Sequence, residues 1–144
     1  MAEKLFTKAQ KEQIIAAIKA AEVETSGEIQ VHLESHCKED VLDRAADVFA
    51  MLKMHKTKLR NGVLFYLAVE DHKFAILGDG GINALVPDDF WEGIKTEMLQ
   101  YFKQGKYTEG LVTGIEMSGK ALKKHFPYDP DTDENELSDE ISFG

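Results

Sequence analysis

The chain has 144 residues and 16.2 kDa, with 43% hydrophobic and 30% charged residues, which fits one ordinary globular domain and leaves no room for two. Its 17 basic against 26 acidic residues give a formal charge of −9. That balance excludes a nucleic-acid-binding surface as the main activity, which needs clustered excess Lys and Arg. A lone cysteine, Cys37, excludes an internal disulfide framework. The longest apolar run, Val63 to Val69, is seven residues, far short of the ~20 of a membrane span, and Met1-Ala2-Glu3-Lys4 opens no secretory segment. A cytoplasmic location, a bacterial source and a monomer are the expectations.

The first helix is predicted from the capping box Thr7-Lys8-Ala9-Gln10, followed by Ile14, Ala17, Ile18 and Ala21 at helical spacing to about Glu22. Thr25-Ser26-Gly27 stops it. Glu28 to Glu34 alternates apolar and polar, so a strand is expected with Ile29, Val31 and Leu33 inside and its other face half exposed. A second helix over about Asp40 to Lys53 should bury Leu42, Ala45, Val48, Phe49 and Leu52. After the basic stretch Lys53 to Arg60 and the Asn61-Gly62 turn, Val63 to Val69 reads as a strand buried on both faces, with Lys73 to Leu77 returning antiparallel.

Gly78-Asp79-Gly80-Gly81 ends that hairpin, and Pro87-Asp88-Asp89 looks like the cap of a helix turning Trp91, Ile94, Met98 and Phe102 inward. The last helix is expected over Thr108 to His125. Gly110, Gly114 and Gly119 each cost about 1 kcal/mol against Ala within it, so they indicate close approach to another element. Residues 1–128 form the domain, and 129–144 an acidic tail with seven acids and no base. Such a tail buries too little to offset its ordering entropy, although Leu137, Ile141 and Phe143 are candidates to anchor it.

A strand–helix–strand crossover makes the first two strands parallel, and the hairpin makes the third antiparallel. The start of the first (Ser26, Gly27, Glu28), the start of the second (Thr57, Arg60, Asn61) and the end of the third (Gly78, Asp79, Gly80) therefore meet at one sheet edge, with Asp88 and Asp89 joining them. Carboxylates of Glu28, Asp79, Asp88 and Asp89, with Asn61 and freed backbone carbonyls, are the oxygen donors that Ca²⁺ or Mg²⁺ takes. The competing reading is a solvated strand end and an Asp-Gly turn.

The sequence resembles the TPM domain family, which includes thylakoid-lumen acid-phosphatase-like proteins and many bacterial proteins. The matching stretches are Thr25-Ser26-Gly27-Glu28-Ile29-Gln30-Val31, Arg60 to Ala68, Phe74 to Ile82, and Phe102 to Leu111, which together span about residues 6–126. The resemblance implies a three-layer α/β/α sandwich with a mixed sheet, divalent metal binding, often of calcium, and a phosphatase activity that is uneven across the family. Many relatives carry a signal peptide, a membrane span or a Gly-rich tail, and none is read here.

For phosphoryl hydrolysis, a metal on Glu28, Asp79 and one of Asp88 or Asp89 would polarise the phosphoryl group, with Arg60 or Lys58 on the anion. No Cys-x5-Arg, Asp-x-Asp or paired-histidine nucleophile motif accompanies them. His32 and His36 lie about 13 Å apart on an extended chain, too far for one zinc. Cys37 has no activating pattern. Gly78-Asp79-Gly80 is no dinucleotide fingerprint. Asp129, Asp131, Asp133, Asn135 and Glu140 match an EF-hand loop incompletely, because Glu134 stands where glycine is needed and Pro130 follows Asp129.

The basic stretch Lys53, Lys56, Lys58, Arg60 invites pairing with the tail, and the tail is the surface expected to meet a protein partner. The expected function is thus a divalent-cation-binding accessory or interaction module. The alternative is a metal-dependent phosphatase of low activity.

Overall fold

The computed structural model describes residues 2–128 and 139–144. Helix α1 (Lys8–Glu22) is followed by β1 (Glu28–Glu34), α2 (Val41–Met51), β2 (Gly62–Ala68), β3 (Lys73–Gly78), the single turn α3 (Gly80–Asn83), α4 (Phe90–Phe102), α5 (Tyr107–His125) and β4 (Ser142–Phe143). Local chemistry sets the helix starts. Thr7 accepts the Gln10 N–H at 3.1 Å while the Gln10 side chain accepts the Thr7 N–H at 2.9 Å. Asp40 caps α2 by accepting from the Leu42 and Asp43 N–H groups at 3.0 and 3.1 Å.

The sheet order is β3-β2-β1-β4, with β1 parallel to both β2 and β4 and β2 antiparallel to β3. One face packs Ile29, Val31, Leu33, Val63, Phe65 and Leu67 against α1, α4 and α5; the other packs Leu64, Tyr66, Ala68 and Ala75 against Ala45 and Val48 of α2. The protein is therefore a three-layer α/β/α sandwich with a mixed sheet, as the family resemblance implied. No helix among the described residues is long and apolar enough to cross a membrane. Positions 129–138 hold most of the acidic tail, including Leu137 and all of the EF-hand-like stretch but Glu140, and lie outside the described residues.

Two expectations change. β1 is buried along its whole length instead of being half exposed. Its polar side chains remain inside because it is an inner strand and because His32 and Glu34 find partners there. The predicted core position Leu42 is 53% exposed, since Ala45 and Val48 carry the contact with the sheet. Trp91 packs against the main core as expected but is only half buried, with its indole N–H donating to the Asn83 side chain at 2.8 Å. The close approach of α5 does occur: a Cβ on Gly114 would stand 2.5 Å from Met98 Sδ and 2.9 Å from Phe65 Cε1.

Candidate functional site

The sheet register brings the expected strand ends together. Glu28 pairs with Gly62, and the Gly62 carbonyl accepts the Asp79 N–H at 2.9 Å, so Glu28 and Asp79 flank the start of β2 on opposite sides. Their surroundings differ. Asp79, 7% exposed, receives Arg60 Nε at 2.7 Å on one oxygen and Nη2 at 2.8 Å on the other, and its carboxylate also accepts the Gly80 N–H at 2.8 Å. The Arg60 guanidinium holds the Asp79 carboxyl below its ordinary range. Asn61 is buried, and its carbonyl accepts the Glu28 N–H at 3.4 Å. Asp88 and Asp89 lie exposed ahead of α4, and the Asp89 side chain makes no cap bond.

Arg60 reaches Asp79 from a left-handed backbone (φ 53°), and its carbonyl accepts the Gly81 N–H at 2.7 Å. The two chain segments touch so closely that a Cβ on Gly81 would stand 2.0 Å from the Leu59 carbonyl oxygen. This edge is a structural clasp of an ion pair, a short cap and a glycine contact.

Carboxyl groups collect instead on the other flank of Glu28. Glu22, at the end of α1, accepts the Ile29 N–H through Oε2 at 2.8 Å, and its Oε1 is buried with no N–H or O–H donor. Its polar neighbours are acids: Asp139 is in hydrogen-bonding contact, and Glu28 is close enough to repel it. Burial and then Asp139 push the Glu22 carboxyl up to about 10. Sequence reasoning passed over Glu22 as the last residue of a helix. An acid there opposes the helix dipole, and that was the available signal. Among the described residues no three His, Cys, Asp or Glu side chains already stand as a metal site.

The opposite end of β1 holds a second polar centre. Glu34 accepts Arg44 Nε at 3.1 Å and the Arg44 Nη2–H, the Tyr66 hydroxyl, and His32 Nε2 at 2.9 Å. That assignment leaves His32 Nδ1 to accept the Ser142 hydroxyl at 2.8 Å. Burial alone would raise the Glu34 carboxyl, but Arg44, Tyr66 and His32 together bring it down to about 2. Burial pushes the His32 imidazole below its ordinary value against the pull of Glu34, so the ring is neutral near pH 7. A cleft of about 510 Å³ lies beside this network, lined by Glu34, Cys37, Lys38, Arg44 and Gly144 among others. His36 is exposed on its own and pairs with Glu70 and Asp71, so it shares no site with His32.

This fold and edge architecture define an α/β/α sandwich domain with acidic and charged centres at the two ends of its inner strand. The chain belongs to the TPM domain family, whose model matches residues 2–121. It is similar to the BA42 protein of the psychrophilic bacterium Bizionia argentinensis, with 52% identity, a TM-score of 0.90, and coverage of 96% of this chain and 95% of that one. The fold alone is shared with the N-terminal domain of a P. gingivalis protein (23% identity, TM-score 0.69, covering 87% and 83% of the two chains). It is shared equally with the N-terminal domain of a Corynebacterium glutamicum protein (16% identity, TM-score 0.65, covering 81% and 74%). No protein of curated function matches the chain.

Proposed function

We propose that this TPM domain is a divalent-cation-binding accessory module that takes Ca²⁺ or Mg²⁺ between Glu22, Glu28 and Asp139. The observation that carries this reading is the contact of the Glu22 and Asp139 carboxyls beside Glu28. Two carboxyls in contact require either a shared proton or a cation between them. The buried Glu22 oxygen has no N–H or O–H donor and is open to a cation, and hard oxygen donors from three separate segments suit Ca²⁺ or Mg²⁺. Bound ion would offset the burial that raises the Glu22 carboxyl, would displace its proton, and would tie the segment at Asp139 to the end of α1.

Of the acids expected from sequence, Glu28 stays in this proposal. Asp79 leaves it, because Arg60 and the Gly80 N–H already use both of its oxygens. The hydrolytic alternative loses Asp79 as a ligand and Arg60 as an anion-binding side chain for the same reason, which leaves it Lys58.

Calorimetric titration of the full chain with Ca²⁺ and Mg²⁺, repeated on Glu22→Gln and Asp139→Asn, tests the reading. Uptake of one ion that weakens at least tenfold in both variants is expected. No uptake by the folded wild-type chain, or uptake unchanged in both variants, overturns it. Turnover of an aryl phosphate that is lost on chelation would put the phosphatase reading ahead of the accessory module.

A further inference from the structure

β4 is a very small strand in an exposed place. Only Ser142 and Phe143 pair with β1, opposite His32 and Leu33, and the Gly144 N–H adds one bond to the Leu33 carbonyl at 3.0 Å. Ile141, Ser142 and Phe143 are half buried and Gly144 is exposed. So short a pairing, only half buried, belongs to the low-stability end of a fold. The surface that receives it is the reverse: every residue of β1 is buried.

The contacts at that surface discriminate position by position. Ser142 places its hydroxyl on His32 Nδ1 at 2.8 Å, which a neutral imidazole anchored by Glu34 holds ready as an acceptor. Ile141 and Phe143 point to the other face and pack against the main core, with Lys11 Nζ 5.6 Å from the Phe143 ring centroid. At Gly144 a Cβ would stand 2.3 Å from Glu34 Oε1. That oxygen cannot swing aside cheaply, because Arg44 and His32 both hold it. The edge therefore selects apolar, small hydroxyl, aromatic and glycine in succession. Lys11 lies over the Phe143 ring, while Arg44 is held by Glu34 and Asp139 lies against Glu22, so the selection rests on shape and hydrogen bonding rather than on charge.

We propose that the outer edge of β1 is a strand-addition site for an extended peptide of the pattern apolar-Ser-aromatic-Gly, and that residues 141–144 occupy it in cis as a replaceable stand-in. Pairing of this kind draws affinity from backbone hydrogen bonds and specificity from alternate side chains. The tethered segment competes at a high effective concentration, so it inhibits the site while docked. An ion held at Asp139 would tether this cis segment, so the test is run in the presence of chelator, where the strand site is read apart from any ion.

The test uses the full chain with Gly144→Val, which should expel the cis strand, and Phe143→Ala as a second, milder variant. The probe is a fluorescent peptide with the sequence of residues 139–144. We expect it to bind Gly144→Val at least tenfold more tightly than wild type, and to lose at least tenfold when its own Phe is replaced by Ala. Amide exchange should show residue 144 deprotected in the variant with β2 unchanged. Absence of peptide binding to either variant while β2 amides remain protected overturns the proposal. Loss of folding in both variants also overturns it, since the strand would then be part of the fold. Strand exchange between differently labelled wild-type copies would replace the foreign peptide by a second copy and overturn the partner assignment.

Discussion

Arg60 and Asp79 close a two-pronged ion pair across the start of β2, with Nε and Nη2 at 2.7 and 2.8 Å from separate oxygens of the carboxylate. This pair makes Asp79 a fastener. Asp79→Ala should lower stability by about 1 kcal/mol from the lost cap on Gly80 alone. It should leave cation affinity within about twofold of wild type, the scale of a site that shares no partner with the mutated residue. Denaturant melts and ion titration of the same sample check the two halves, and a strong loss of ion binding would restore Asp79 as a ligand.

The neighbouring glycines should respond unequally. Gly80 has nothing within 4 Å of an added Cβ, whereas Gly81 would place one 2.0 Å from the Leu59 carbonyl oxygen and 2.5 Å from that of Arg60. Gly80→Ala is expected to be neutral or to stabilise by up to about 1 kcal/mol, because it stiffens the unfolded chain at no steric cost. Gly81→Ala must displace backbone and should cost more than about 2 kcal/mol. Equal urea midpoints for the two variants would contradict the close contact.

Gly114 sets two opposing effects against each other. Alanine there gains about 1 kcal/mol of helix propensity. Its Cβ, however, meets Met98 Sδ at 2.5 Å and Phe65 Cε1 at 2.9 Å. Met98 is flexible and can yield in part, but Phe65 is a sheet residue packed on both sides. Overpacking of about 1–3 kcal/mol should win, giving a net loss that grows in Gly114→Val. Thermal unfolding of the two variants checks the order.

Glu34 makes stability depend on acid. Its carboxyl titrates at about 2 in the folded protein against 4.5 as the ordinary value, so its contribution is fully present above pH 4.5 and is lost as the pH falls towards 2. Glu34→Gln should cost about 2–3 kcal/mol near neutrality, less than a wholly buried pair because Arg44 reaches solvent. The gap between wild type and variant should narrow steadily from pH 5 to pH 2 in urea melts. His32 acts with the same sign at higher pH: its depressed imidazole costs stability once the unfolded chain takes a proton below 6.5. Glu22 acts oppositely, favouring low pH and fading as the pH rises from 4.5 towards about 10. Comparison of variant with wild type removes the Glu22 contribution, whereas His32 bonds Glu34 directly and is isolated by a parallel His32 variant.

Much of the fold was legible because its signals were local. The Thr7–Gln10 box, the Asp40 cap, the alternation of Glu28 to Glu34 and the apolar run after Gly62 each specify an element with no knowledge of the rest. β4 was not legible, because two residues carry no period and are a strand only by virtue of the edge they meet. The burial of β1 was missed for a related reason. Its polar face looks solvated until Arg44, from the next helix, and Ser142, from 110 positions away, supply partners for Glu34 and His32.

The candidate site was legible in part. Chain topology brought Glu28 and Asp79 to the same edge, but nothing in their spacing revealed that Arg60 would claim one of them. Glu22 and Asp139 lie 117 positions apart, so their meeting exists only in three dimensions.

Cys37, the sole thiol, sits 4% exposed on the wall of the cleft beside Glu34 and Arg44, with its sulfur donating to the Glu39 carbonyl at 3.3 Å. It gives the protein a native reporter at the end of β1: an alkylating dye will react slowly with the closed form and at the opening rate of this corner when reagent is abundant. Labelling kinetics can thereby time the loosening of the inner strand without introducing any new residue.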